Sequence, residues 1–478
     1  MSSISIQEFE REYLKALKNE SAAVFAGAGM SRVSGYVEWK ELLREFAEDI
    51  NLKVEKEDDL VSLAQYYYNQ RGGNRSIISN KIIEEFTKET KQNENLEILT
   101  SLPIEKYWTT NYDSLIEDTL KNYSNRKVDV KRTVENLTTT LPGRDAIVYK
   151  MHGDITQPHN AVIIKDDYES YNEKRQLFTT SLQGDLVSKT FLFIGFSFED
   201  PNLIYILSRI RILLGEEHNR MHYCFIREVK ESEYQNHEDF IYDKTKQELR
   251  IQDLKRYGIS AVLVKEYSEI TESLRRIQFK HNLNSILISG SAEIYGDMDE
   301  DKAGQFIYTL SNQLVKRNFK IVTGYGKGIG TYVVSGVLEE VYENKYGHVS
   351  TYLTPRPFPF IHKGDIDIQE IAKNYRKTIV DECGVVIFIF GNKTDKETGE
   401  IVNASGVYQE FKIANEKDKV IIPIGSTGFM SKKILEEVEN DLEKYWYLKD
   451  SIDVLMDELD PVKVFAEISK VITKVKGA

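Results

Sequence analysis

Four short runs combine glycine with side chains able to place a ligand or move a proton. AGAGMS, Ala26 to Ser31, follows an apolar run and opens a helix-like stretch. Gly27 and Gly29 let a backbone approach a phosphate, and the helix start behind them would face negative charge. The same pattern serves equally as a tight strand-to-helix connection. TTNYD, Thr109 to Asp113, supplies an amide at Asn111 and a carboxylate at Asp113, residue types that also form turns and cap helices. MHGD, Met151 to Asp154, sets His152 before a glycine. A neutral imidazole with a reference pKa of about 6.5 can take a proton from a hydroxyl or water, and a satisfied structural histidine is the plain alternative. FIGFSFEDPN, Phe193 to Asn202, brings Gly195 and Ser197 to a fourth such position.

Strands and helices must hold these runs in place. Strand-like segments fall at Ala22 to Ala26, Tyr107 to Thr110, Ala146 to Met151, Thr190 to Gly195, His222 to Arg227 and Ile259 to Val264. The intervals are long enough for crossover helices, one expected over Trp39 to Ile50, and the rhythm implies a mainly parallel α/β sheet. All four runs then sit at strand ends, where an open parallel sheet has its ligand crevice. The polar stretch Lys56 to Leu99, with apolar residues at Leu60, Leu63, Ala64 and Tyr67, is expected to form a small helical cap.

The pattern restarts after a charged helical stretch, Ser268 to His281. A boundary near 283 therefore separates domains 1–283 and 284–478. Strands are expected at Ile286 to Ser289, Lys320 to Thr323, Val349 to Leu353, Val385 to Phe390 and Val420 to Ile424. The fold class is α/β: two doubly wound Rossmann-like domains, the first with a helical insertion. In the second domain ILISGSAEIYG carries Gly290 and Ser291, and KIVTGYGKGIG carries Gly324, Gly326 and Gly328. Two glycine turns at strand ends again suit phosphate. A polar loop from Gly391 leads to Ser405 and Gly406, which open a helix bearing Glu410. Arg356, Arg376 and Lys393 are the cations placed near a pyrophosphate, though each equally suits a solvated surface.

Composition narrows the classes. The 478 residues, 41% hydrophobic and 29% charged, are those of a globular chain with room for two cores. A formal charge of -13 repels polyanions and argues against nucleic acid as a partner. Two cysteines, Cys224 and Cys383, are too few for a disulfide framework or a four-cysteine zinc site, and fit a reducing compartment. The N-terminus lacks a signal-like apolar core, and the longest apolar runs fall far short of the ~20 residues of a membrane helix. A cytoplasmic protein without membrane contact is expected.

In order and strand placement, the series GAG-x-S, N-x-D, H-G and G-x-S resembles the sirtuin family. The resemblance implies that Ala26, Gly27, Ala28, Gly29 and Ser31 surround the phosphates and ribose of NAD+. It makes Asn111 the residue that positions the nicotinamide ribose or a water, Asp113 the partner of the nicotinamide amide, and His152 the general base. Gly195 and Ser197 would contact the adenosine side. Deacetylating sirtuins carry a four-cysteine zinc module that this chain lacks, so no metal or cofactor is expected and NAD+ is a substrate. Water then replaces acyl-lysine as acceptor, and FIGFSFEDPN resembles the sirtuin-like branch of bacterial defence proteins.

The glycine series of the second half resembles the SLOG superfamily of nucleotide-binding domains. Its expanded loop at Gly391 to Ser405 favours binding over hydrolysis, which makes Gly290, Ser291, Gly324, Gly326, Gly328, Arg356, Arg376, Lys393, Ser405, Gly406 and Glu410 the expected signal-binding residues. Together the halves resemble the Thoeris anti-phage effector family. That resemblance implies a homotetramer activated by a cyclic ADP-ribose isomer from a partner TIR-domain protein. It also implies low resting activity, with the Lys56 to Leu99 insertion or domain contacts covering the NAD+ pocket. Two alternatives remain: a signalling module that binds NAD+ or ADP-ribose without cleaving it, and a zinc-free deacylase or ADP-ribosyltransferase.

Overall fold

The computed structural model describes residues 3–198, 200–214, 220–345, 347–358 and 368–477. The chain divides into two compact units, Met1–Gln278 and Phe279–Ala478, and the division falls within the helix Ser268–Asn282. No helix among the described residues is long and apolar enough to cross a membrane.

The first unit is built on seven parallel strands: β1 (Ala22–Ala26), β2 (Lys106–Thr109), β3 (Val128–Lys131), β4 (Ala146–Lys150), β5 (Thr190–Ile194), β6 (His222–Arg227) and β7 (Ile259–Val264). Their order is β3-β4-β2-β1-β5-β6-β7. Successive side chains of a strand face opposite ways, and here both faces are buried. Val24, Tyr107, Val148 and Leu192 join one core, with Phe9 and Tyr13 of the helix Ile6–Lys18. Phe25, Trp108, Tyr149 and Phe193 join the other, with Phe178 and Leu182 of the helix Gln176–Ser188. This is the doubly wound arrangement expected from continuous apolar strands.

Several expectations need correction. The helix expected over Trp39 to Ile50 is two short helices, Trp39–Leu42 and Arg44–Asp49, because the turn at Leu43 lets Leu42, Leu43, Phe46 and Ala47 all enter one core. That core belongs to the cap, with Leu63 and Tyr67 of the helix Leu60–Gln70 and Ile78 and Ile82 of Arg75–Phe86. The cap is smaller than Lys56 to Leu99, since the helix Glu94–Ser101 sends Leu96, Ile98 and Leu99 into the main sheet core. β3 went unexpected: four residues long, its Asp129 paired with Lys131 and Arg144, it lacks the apolar run that marks its neighbours.

The second unit has five parallel strands: β8 (Ser285–Ser291), β9 (Lys320–Thr323), β10 (Leu353–Pro355), β11 (Val385–Phe390) and, last in the chain, β14 (Val420–Pro423). They are ordered β10-β9-β8-β11-β14. The strand expected over Val349 to Leu353 is instead a helical turn, Val349–Tyr352, followed by β10, because Leu353 is the buried residue of that stretch. The polar loop after β11 contains an antiparallel pair, β12 (Asn392–Thr394) and β13 (Ile401–Asn403). Its turn is closed by Asp395, whose carboxylate accepts the amides of Glu397 and Thr398. Cys224 and Cys383 are both buried, and burial pushes each thiol up to about 12.

Candidate active site

Strand order assembles the first site. β4, β2, β1 and β5 are consecutive neighbours, and His152, Asn111, Gly27 to Ser31 and Gly195 follow their respective C-terminal ends. At roughly 4.8 Å per strand the set spans about 14 Å. The chain leaves β1 for β2 on one side and reaches β5 on the other, so the site lies at the topological switch point of the sheet.

A continuous set of hydrogen bonds joins the first two runs. The Asn111 amide donates to the Gly27 carbonyl at 3.0 Å and to Ser31 Oγ at 2.8 Å. Ser31 Oγ donates in turn to Asp113 Oδ2 at 2.7 Å. Asp113 Oδ1 accepts the Leu115 amide at the start of the helix Leu115–Asn122. Thr109 Oγ1 accepts the Asn111 amide and donates to the Ala26 carbonyl, fixing the loop at its root. Both amide hydrogens of Asn111 are committed to the turn, which leaves its Oδ1 to accept from a ligand.

The β5 loop closes on the same turn. Gly195, with φ of +62°, accepts the Gly29 amide at 2.9 Å, and a Cβ on Gly195 would stand 2.2 Å from the Met30 nitrogen. A Cβ on Gly27 would stand 2.4 Å from the Gly195 oxygen. Gly27, Gly29 and Gly195 are therefore fixed by mutual approach of two backbones. Ser197 is exposed, and its carbonyl accepts from Arg250 of the helix His237–Arg256.

His152 is 4% exposed and enclosed by Tyr168, Tyr171 and Asp200. Its Nε2 lies 3.1 Å from Asp200 Oδ2, within ion-pair reach but without the alignment of a hydrogen bond. Burial alone would raise the Asp200 carboxyl. The adjoining imidazole and the amides of Leu203 and Asn202 hold it below the usual carboxylate range. Asp200 also caps the helix Pro201–Leu214, its Oδ1 accepting the Leu203 amide at 2.9 Å. Asp200 shares this run with Gly195 and Ser197, and its one local signal is that Asp before Pro marks a helix start. Tyr168 belongs to the helix Lys165–Glu169, which the cap grips through Gln65 to Asp166 and Arg75 to Asp167.

Among the expected residues of the second unit, those of the glycine turns end or follow adjacent strands, while Arg376 and Glu410 lie on the helices Ile368–Asp381 and Ser405–Glu416. Gly290 and Ser291 end β8, and a Cβ on Gly326 would stand 2.0 Å from the Gly290 oxygen. Gly324 packs under the Tyr375 hydroxyl, Gly328 under the Ala292 carbonyl and Gly406 under the Arg376 guanidinium. Close packing thus accounts for these glycines. Ser405 Oγ accepts from Lys393 at 3.4 Å, while Arg356 is drawn to Glu382 at 2.7 Å on the exposed side. Asn392, fully buried and unanticipated, binds the amides of Glu293 and Ile294 and the Ile294 carbonyl, clamping the loop after β8.

Glu410 accepts from Ser289 Oγ at 2.6 Å, and its Oε1 is 4.0 Å from Arg376 Nε. Burial pushes its carboxyl up to about 7, against the opposing pull of Ser289 and Arg376. A raised carboxyl favours the protonated folded form. Its contribution to stability is therefore full below the free-carboxyl value of 4.5 and is lost as pH rises through about 7. Glu410→Gln is expected to melt progressively higher than wild type as the buffer moves from about pH 5 to about pH 8. A calorimetric offset that stays constant across that range would contradict the buried acid.

Comparison with known proteins agrees with both units. Residues 105–253 match the SIR2-like domain family, and residues 269–476 match the Sir2- and TIR-associating SLOG family. Over 445 residues the chain is 47% identical to the NAD(+) hydrolase ThsA of Cytobacillus dafuensis, covering 91% of this chain and 89% of that protein. It is 42% identical over 469 residues to the NAD(+) hydrolase ThsA of Acinetobacter baumannii, covering 96% and 97%. Defense-associated sirtuin 2 of Bacillus subtilis is 27% identical over 218 residues, 44% of this chain and 21% of that protein.

Proposed function

Because the chain belongs to the ThsA family of NAD(+) hydrolases, we propose that its first unit hydrolyses NAD+ to nicotinamide and ADP-ribose in anti-phage defence. The observation that carries this reading is the Asn111–Ser31–Asp113 set, hydrogen-bonded across two neighbouring strands and flanked on the next strand by buried His152. Nicotinamide leaves as a neutral base, so the site has to position NAD+ and stabilise an oxocarbenium-like ribose rather than protonate the leaving group. Asn111 Oδ1 and the Ser31 and Asp113 group orient the nicotinamide riboside. His152 takes the proton from a ribose hydroxyl or the attacking water. The glycine turn at the start of the helix Ala28–Arg32 receives the phosphates.

Chromatography of NAD+ incubated with purified protein tests the reaction. Release of equal nicotinamide and ADP-ribose supports hydrolysis. Binding without release would leave a non-catalytic NAD+ module. Dependence on an acylated peptide would point to a deacylase.

The second unit then serves as the sensor. On this reading it binds a cyclic ADP-ribose isomer made by a partner TIR-domain protein of the Thoeris system, and the assembly is a homotetramer. Arg376, Lys393, Ser405 and the β8 loop supply donors for the pyrophosphate. An activator works only by binding the active arrangement more tightly than the resting one. The enclosure of His152 by Asp200, Tyr168 and Tyr171 fits a resting arrangement, since a ribose must pass the two tyrosine rings to reach the imidazole. Calorimetry with a panel of cyclic ADP-ribose isomers tests the sensor, and absence of binding to every isomer would remove it.

Asp200 separates two roles cleanly. Asn caps a helix about as well as Asp. Asp200→Asn is therefore expected to melt close to wild type while losing about tenfold or more in kcat, because the charge beside His152 is gone. Asp200→Ala should lose about 1 kcal/mol of cap as well. Unchanged kcat in Asp200→Asn would confine Asp200 to helix capping.

A further inference from the structure

The loop bearing Asn111 and Asp113 rests on a side chain from the next strand. Lys150, the last residue of β4 and two before His152, is fully buried. Its Nζ donates to the Asp113 carbonyl, to the Tyr112 carbonyl at 3.4 Å, and to Glu117 Oε1 at 3.3 Å. Lys carries three donors, and all three are used. Glu117, 1% exposed, lies on the helix Leu115–Asn122 that follows the loop and stands 3.6 Å from Arg132, which pairs with Asp154 of the histidine run. Burial alone would raise the Asp154 carboxyl, but Thr156, Lys150 and Arg132 hold it below the usual carboxylate range.

We infer that Lys150 is a positioning residue that fixes the Asn111 to Asp113 loop against the strand leading to His152. The inference rests on the hydrolase reading above. Two carbonyls of one short loop converge on Nζ, and the Asp113 side chain continues the path through Ser31 to Asn111 and the Gly27 carbonyl. The path crosses β4, β2 and β1, the strands that carry the base, the amide and the phosphate turn. An apolar residue at 150 would fill the same space without setting the distance between Asn111 and His152. Misplacement of reacting groups by about 1 Å is enough to lower turnover about a hundredfold.

The test compares full-length Lys150→Met, Glu117→Gln and the double variant with wild type, under whichever condition makes wild type turn over NAD+ fastest. Lys150→Met leaves Glu117 with less compensation and is expected to melt lower. In the double variant the buried carboxylate is neutralised, melting recovers, and kcat stays about 10- to 100-fold down with KM changed less than about threefold. Glu117→Gln alone retains both carbonyl contacts and keeps kcat within about threefold of wild type. Recovery of kcat in the double variant would reduce Lys150 to charge balance and overturn the inference. Wild type without turnover would instead remove the hydrolase reading. Amide hydrogen exchange then decides: faster exchange confined to residues 110–115 in the double variant supports positioning, and unchanged exchange overturns it.

Discussion

Turnover of NAD+ is expected to fall roughly 10²- to 10⁴-fold in His152→Ala, the contribution typical of a positioned general base. His152 lines a buried site and caps no helix, and its carbonyl, which accepts the Val162 amide, survives the substitution. The loss should therefore appear in kcat with little change in KM, the mark of an interaction made in the transition state. Asn111→Ala should behave differently. Its amide holds the Gly27 carbonyl and Ser31 Oγ, so its loss frees the glycine turn and moves KM together with kcat. Steady-state kinetics with both variants makes the distinction. A His152→Ala enzyme with wild-type kcat would take proton transfer away from this imidazole.

Gly195→Ala should be the most disruptive small substitution in the first unit. The added methyl meets the Met30 nitrogen at 2.2 Å, and the backbone is already at φ +62°. Left-handed strain costs about 1–3 kcal/mol for a residue with a Cβ, and overpacking adds about 1–3 more. For a unit of this size each kcal/mol lowers the midpoint by about 2–4 °C, so a drop on the order of 10 °C is expected in scanning calorimetry. Gly184→Ala is the matching control: on the helix Gln176–Ser188, with open space around the new methyl, it should hold or raise the midpoint. Equal midpoints for both variants would show that the Gly195 loop yields.

The strands were readable because they are continuous apolar runs buried on both faces, and their order explains why runs separated by tens of residues meet. The candidate residues at their ends stood out for the same reason: a parallel sheet gathers the residues that follow its strands. β3 was not readable, since Val128–Lys131 owes its place to Asp129 ion pairs and an edge position rather than to an apolar run. Val349 misled because a β-branched residue carries strand propensity, whereas Leu353 is what the sheet buries. Asp200, Lys150 and Asn392 escaped notice because what distinguishes them is contact with loops far along the chain. Nothing local separates a buried, fully bonded Lys150 from the many solvated lysines of a charged sequence. The cap was half legible: its helices showed in the spacing of Leu60, Leu63, Ala64 and Tyr67, but the assignment of Glu94–Ser101 to the main core did not.

Cys224 and Cys383 have a consequence for how the molecule meets chemical stress. Each is buried, and each thiol is held up to about 12, where almost none of it is thiolate near neutral pH. Alkylating reagents and peroxides act on the thiolate, so both sulfurs are poor targets while the fold stands. The candidate chemistry is carried by an amide, carboxylates, a hydroxyl and an imidazole, none of which has a sulfur to oxidise. Neither cysteine is therefore expected to make the activity sensitive to thiol reagents while the fold stands.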